Sequence, residues 1–561
     1  MTKNLLHLTK ISHREWRAPE LNSKFISISS VALRQIKTAR IFLLKGLVLF
    51  SLVSGQAHVP FSARMNGGRI EYSNGRYEKA AEQFAFAVAD NPKSAEARTW
   101  LGMALSHLQR NLEAAAQFDT ASQLDSLYFN KMLKNEDCRY QALTSFSLAS
   151  RELMISSDTN DWKVALNYTK QVLKQEPKSR QALTILAQLY LQLNQLADLR
   201  TRALELIRTD STNPLGYTML GLYFFNQSDW DSVRVYYLAA ARQYQTQYQQ
   251  IKEQLANVLA IKDTIKLNKI TTSLIIARRD RNPKRLQTLI EDSLKAKPKL
   301  PVLTRIADDL YIIESELNTS YFRAGVASLQ RTNQEKTKET QEFYLQQAKT
   351  EFEQALFYNP NDLDAKHNLA FIFYRQGGLA ADQRAMELYE EIIKAAVVSL
   401  TDPRLPSDLQ DSLYYLITKE VMANKYLQIP PELTVKVENE FYKKGVEITN
   451  LEWLYFPNLT ANTFDKKGVF LAKLAPQALE NLYLLYGSAQ ANVAMGLKQE
   501  KKIQEAQQQF ESAIVSFDLV LALNPKNTDA IKSKGVCLSE LGRKQEAYEL
   551  LKRLENLQKE K

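Results

Sequence analysis

Two stretches decide how this chain is read: Gly68–Pro92, GRIEYSNGRYEKAAEQFAFAVADNP, and Gly102–Ser126, GMALSHLQRNLEAAAQFDTASQLDS. Superposed at an offset of 34 residues, Gly68 falls on Gly102, Ala80 on Ala114, Phe84 on Phe118 and Ala87 on Ala121. Matches confined to small and aromatic positions at one spacing mark a structural repeat, because paired helices touch at such positions. Ala80, Phe84 and Ala87 recur at intervals of four and three, so they share one helical face. The glycine sits where the neighbouring helix crosses too closely for a side chain. Gly75 lies between the two helices, where a residue tolerant of positive φ stops the first. Pro92 ends the second, since it has no N–H and disfavours helix in the residue before it. One such unit cannot bury its apolar face alone, so several must stack.

The same pattern returns along the chain. After Ser126 the frame breaks, and 127–145 reads as an inserted helix or an extended linker. Ala165, Val172 and Pro177 then restore the spacing, followed by Leu183, Leu186 and Ala187. Pro214 opens a clearer unit, with Gly221 at the close-contact position and Tyr237 and Ala240 on the second helix. Val233 stands where alanine is preferred, which puts a tight crossing there in doubt. Residues 245–344 read as a helical linking region. The motif resumes with Ala348, Phe352, Ala355 and Pro360, and continues to about 396. Five prolines and the aromatic run Leu451–Pro457 interrupt 397–475, which reads as an irregular insertion with short helices. Ala513, Phe517 and Pro525, then Gly535 and Ala547, close the repeats within 476–561, and the polar tail Lys552–Lys561 suits the outer face of a terminal capping helix.

Composition supports helices. The 561 residues hold only 17 Gly and 16 Pro, too few for the many tight turns of an all-β fold. The net charge of +11 is concentrated at one end: residues 1–57 carry nine Lys or Arg and two Glu, which makes up +7 of it. The rest is close to neutral, so nucleic acid is not expected as a partner. A basic cluster at Arg278, Arg279, Arg281, Lys284 and Arg285 has no interleaved aromatic residues for base stacking and reads as a solvated loop.

The first 57 residues have a second meaning. Arg34, Lys37, Arg40 and Lys45 precede the apolar run Gly46–Val53, and the small residues Gly55 and Ala57 follow, as in a secretory signal peptide. The run is too short for a comfortable membrane span of about 20 residues. Export to the periplasm or cell envelope is therefore expected, with the mature chain starting at His58. Two alternatives stay open: a membrane anchor if the leader is uncleaved, and a cytoplasmic protein if synthesis starts at Met65. Membrane contact is expected only in the first of these.

No constellation of catalytic residues stands out. Of five histidines only His107 and His367 lie inside repeats, and neither has a Cys or His at metal-ligand spacing. Cys138 and Cys537 are far apart in helical contexts and form no disulfide framework. No phosphate-binding loop, dinucleotide fingerprint or nucleophile elbow occurs. No cofactor or metal is expected, and the chain is not expected to be an enzyme.

The repeat resembles the tetratricopeptide (TPR) family. That resemblance implies an all-α fold, a tetratricopeptide-like helix-turn-helix solenoid with irregular helical insertions, whose first helices line a concave wall. On the family's pattern, the concave positions fall on Arg69, Tyr72, Thr99, Met103 and His107 in the opening units. They fall on Thr218, Leu222, Phe225 and Asn226 after Pro214, and on His367, Phe371, Tyr374 and Arg375 near residue 370. A protein or peptide partner is implied. The paired Lys and Asn residues with which some members clamp a terminal carboxylate are not visible. A scaffold holding a peptide or protein partner is the leading expectation, and a non-catalytic subunit of an envelope enzyme or transport assembly the second. The array is expected to run over 66–244, 345–396 and 476–561.

Overall fold

The computed structural model describes residues 59–279, 300–399, 453–455, 470–472 and 476–559. The leader 1–57, the cluster members Arg281, Lys284 and Arg285, and most of 397–475 lie outside the described residues. The chain divides into two compact units, 1–177 and 178–561.

In the first unit, α1 (Phe61–Ser73) pairs with α2 (Tyr77–Asp90), and α3 (Ala95–His107) with α4 (Asn111–Leu124). The crossing within each pair is as close as the glycines imply. A Cβ added to Gly68 would lie 2.5 Å from the Phe84 ring, and one added to Gly102 would lie 2.8 Å from Phe118. Both rings are fully buried, with Ala80, Ala87, Ala114 and Ala121 around them. Caps mark the boundaries: Ser94 Oγ accepts from the Ala97 N–H at 3.1 Å and so satisfies one of the orphan donors at the start of α3.

The break after Ser126 is a short helix and not a linker. Residues 126–132 form α5 (Ser126–Met132), and α6 (Glu136–Met154) is the first helix of a further pair with α7 (Thr159–Gln175). Asn135 caps α6 by accepting from the Cys138 N–H at 3.0 Å. Phe146 and Cys138 are buried on its inner face.

The second unit begins with α8 (Arg180–Gln192) and α9 (Leu196–Thr209), then α10 (Pro214–Asn226) and α11 (Trp230–Leu259). Val233 does not loosen the crossing: it is fully buried, and a Cβ on Gly221 would meet the Tyr237 ring at 2.7 Å. The stretch read as linking contains α12 (Thr264–Arg279) and α13 (Leu300–Gln334). Far from being a connector, α13 packs against α11 and against α14 (Lys338–Tyr358), and Gly325 faces Phe352 at 2.9 Å. It is the missing first helix of the unit whose second half the sequence displays. Next come α15 (Leu363–Gln376) and α16 (Leu379–Ala396), α17 (Pro476–Gln499) and α18 (Ile503–Leu523), and α19 (Thr528–Glu540) and α20 (Lys544–Lys559).

Between α16 and α17 the described residues of 397–475 are strands, not short helices. β1 (Val397–Ser399), β2 (Trp453–Tyr455) and β3 (Phe470–Ala472) form an antiparallel sheet in the order β1-β3-β2. Val397 and Trp453 both register with Ala472, so β3 is the central strand. Sheet is otherwise absent among the described residues, and the fold is all-α.

In most of the pairs the turn carries a left-handed residue. Gly75 supplies it at φ 73°, and 34 positions on Gln109 takes the same place at φ 59°. A side chain in that region costs about 1–2 kcal/mol, part of which glycine gives back through its larger unfolded-state entropy. Gln109→Gly should therefore stabilise the first unit by roughly 0.5–1 kcal/mol, read as slower amide exchange in α3 and α4. Faster exchange would show that the Gln109 side chain contributes more than its backbone costs.

Candidate functional site

In the first unit the structure gathers Arg69, Tyr72 and His107 on one wall made by α1, α3 and α6. The Tyr72 hydroxyl donates to Asp137 Oδ2 at 2.6 Å, and His107 Nε2 lies 2.9 Å from the same hydroxyl. Gln141 Nε2 approaches His107 Nε2 at 3.1 Å, and Asp137 Oδ1 is 3.6 Å away. Burial first, and then the hydrogen bond to Asp137, push the Tyr72 hydroxyl well above its ordinary pKa, so it stays a donor. Beneath this row Ser106 Oγ donates to Gln141 Oε1 at 2.8 Å, and Ser145 Oγ donates to Ser106 Oγ at 2.9 Å. Rings frame the polar atoms. His107 stacks on Tyr77 at 4.0 Å between centroids, Tyr72 meets Trp100 edge-on at 5.5 Å, and the Arg69 guanidinium stands 5.4 Å over Trp100. Arg69 also pairs with Glu96.

Thr99 and Met103 do not belong to this wall. Thr99 is 0% exposed and its hydroxyl donates to the Ala95 carbonyl at 2.8 Å, while Met103 is 2% exposed. The reason is rotation. At about 100° per residue, Thr99, Met103 and Ser106 share one side of α3, whereas Trp100 and His107 share another. The mapping from the family's pattern is thus corrected by one residue on α3, from Thr99 to Trp100. Tyr77, Trp100, Asp137 and Gln141 were missed. Trp100 was legible, because it lies seven residues before His107. Asp137 lies in 127–145, read as an inserted helix or an extended linker and not as part of a repeat.

In the second unit Leu222 and Phe225 are half-buried and pack on a cluster of Val233, Tyr237, Ala324 and Ala327. Phe225 meets Trp230 edge-on at 5.3 Å and lies 5.1 Å under the Arg323 guanidinium. Thr218 turns its hydroxyl onto its own helix, donating to the Pro214 carbonyl at 3.2 Å, and Asn226 is exposed at the end of α10. On α15, burial lowers the pKa of His367, which favours the neutral ring, and that ring meets Tyr389 edge-on at 5.9 Å. Arg375 stands 5.8 Å over Phe371 and donates through Nη1 to Asn333 Oδ1 at 3.3 Å. Burial lowers its pKa and raises that of Tyr374, which bonds to the Ser488 side chain. Phe225, Phe371 and Tyr374 all pack against one extended core cluster that includes Leu369 and Ile372.

Neither wall holds reactive groups in a catalytic arrangement. Among the described residues no group of three or more His, Cys, Asp or Glu side chains could hold a metal ion, and no helix is long and apolar enough to cross a membrane. Burial pushes the thiols of both Cys138 and Cys537 up to about 12, which leaves each a packed, unreactive group.

The family model described as tetratricopeptide repeat matches residues 65–126, which are α1 to α4 with their glycine–phenylalanine crossings. Residues 65–126 are tetratricopeptide repeats. No curated protein matches it in sequence. Similar solved structures include the human IFIT1 dimer with m7Gppp-AAAA, 14% identical, over 90% of this chain and 91% of that one, at a TM-score of 0.20. Others are the APC/C hetero-tetramer Cut9-Hcn1, 12% identical over 88% and 96% at 0.22, and the P58(IPK) TPR domain, 12% identical over 89% and 98% at 0.19. At such scores these likenesses carry no argument about partners. Tetratricopeptide repeats are generally interaction modules that bind proteins.

Proposed function

We propose that this chain is a non-catalytic scaffold that holds a peptide segment or protein partner along the wall built by its first helices. The observation that carries the reading is the row Tyr72, His107, Asp137 and Gln141. It spans three successive first helices, and the His107 and Asp137 side chains remain 24% and 44% exposed. A row of polar atoms framed by rings offers a peptide both backbone hydrogen bonds and flat apolar contact.

The scaffold works in the cell envelope on this proposal, supported by the leader pattern of Gly46–Val53 with its preceding basic residues. The intact mass of the native protein tests the location. A chain beginning at His58 supports export, and a soluble chain beginning at Met65 defeats it.

The binding wall is tested by substitution. Arg69→Ala, Tyr72→Phe and His107→Leu together remove the guanidinium, the hydroxyl and the ring nitrogens from the wall while leaving its helices' inner faces untouched. They should weaken capture of partners from the native source by about tenfold or more, which is about 1.4 kcal/mol, with helicity unchanged. Lys79→Ala and Glu82→Ala, exposed on the second helix α2, serve as the control. Equal loss from the control would move the binding surface to the second helices.

A further inference from the structure

The last pair, α19 and α20, has a crossing glycine but lacks the ring that fills this place in five earlier pairs. In five earlier pairs a Cβ on the crossing glycine would lie within 3.0 Å of an aromatic ring: Gly68, Gly102, Gly221, Gly325 and Gly487. Gly535 has nothing within 4 Å of its Cβ position. Sixteen residues on, where Phe84 stands relative to Gly68, the chain has Leu551, and Leu551 is 49% exposed. Tyr548 beside it is 64% exposed. Ala547 and Leu554 turn inward from α20 onto α19. Lys544, Tyr548, Leu551 and Glu555 are all exposed and follow one another at intervals of four, three and four. That is the spacing of a coiled-coil seam, and the four residues fall within about 60° of arc on one side of the inward stripe.

The order of the four residues identifies the occupant. A surface that pairs with itself about a two-fold axis must be self-complementary. Run antiparallel against a second α20, this seam sets Lys544 opposite the second copy's Glu555 and Tyr548 opposite the second copy's Leu551. Both pairs share one midpoint, between residues 549 and 550, so a single axis satisfies them together. Neither Lys544 nor Glu555 has an ion-pair partner among the described residues, whereas the neighbouring Glu546 is held by Arg543 at 2.6 Å. We infer that α20 is the seam of a homodimer, in which the α20 helices of two chains pack antiparallel through Tyr548 and Leu551 and are registered by Lys544 and Glu555. This is a second interaction surface, independent of the first-helix wall.

Sedimentation velocity on the full chain tests it. The wild type should sediment as a dimer at micromolar concentration, and Leu551→Glu should be a monomer with unchanged helicity, since the side chain is not in the core of its own chain. Lys544→Glu should weaken the dimer by at least about tenfold through like charges facing each other, and Lys544→Glu with Glu555→Lys should recover most of that loss. A monomeric wild type overturns the inference. So does a dimer that survives Leu551→Glu, or a charge exchange that restores nothing.

Discussion

Replacing Phe84 with Ala should cost about 3–5 kcal/mol of local stability, the range for removing a large ring from a packed core. The ring is 0% exposed, fills the space above Gly68 and stacks on Trp100 at 5.7 Å, so it joins the first pair to the second. Gly68 cannot close the gap, because it has no side chain to move. Stability in a repeat array is close to a sum of units and neighbour contacts, so the damage should stay near its source. Hydrogen exchange should lose protection across α1 to α4 while α17 to α20 keep theirs. Unchanged exchange in α1 to α4 would show that the ring does not hold the two pairs together.

Arg234→Ala should be about as severe, for an electrostatic reason. Glu351 on α14 is 4% exposed, accepts from Arg234 Nε on α11 at 2.6 Å and from Ser328 Oγ on α13 at 2.6 Å. Removing the guanidinium leaves a buried carboxylate without its counter-charge, a change that typically costs about 3–5 kcal/mol. Burial holds the Glu351 carboxyl above its ordinary pKa even with Ser328 and Arg234 drawing it back down. A carboxyl raised in the folded state takes up its proton more readily there than in the unfolded chain. Its effect on folding is therefore most favourable below the ordinary Glu value and is lost as pH rises through the raised one. Arg234→Ala raises that carboxyl further. The gap between variant and wild type in a denaturant melt should thus narrow as pH falls from about 7 towards 5. A gap that widened on acidification would assign the loss to packing of the arginine stem and not to the stranded charge.

How much could be read from the residues depended on the length of the turns. Where Gly and ring are sixteen apart, as in Gly68 and Phe84, Gly102 and Phe118, or Gly221 and Tyr237, the repeat was plain. Gly325 and Phe352 are 27 apart, because α13 runs on to Gln334 before the chain turns, and that first helix was therefore taken for a linker. Gly487 and Phe517 are 30 apart for the same reason. The candidate positions were legible in part. Tyr72 and His107 in the first unit, and Phe225, Phe371 and Tyr374 in the second, sit on partly exposed faces, but one residue of helical rotation separates Thr99 in the core from Trp100 on the first unit's wall. Asp137, which accepts the Tyr72 hydrogen bond, is 65 positions from it, and no local pattern connects the two. The strands at 397–399, 453–455 and 470–472 are three residues each, too short to show alternation.

The crossing glycines also set an order of assembly. Each of the sixteen-residue locks closes within one helix pair, so it can form as soon as its own two helices have left the ribosome. Nothing downstream is needed for Phe84 to settle on Gly68. Arg234 is different, since its carboxylate lies 117 positions further on. Until α14 is made, α11 carries a guanidinium with no counter-charge to bury, and its inner face stays open to a chaperone or to a misplaced helix. A nascent chain arrested before Glu351 should therefore show faster amide exchange in α11 than the finished protein does.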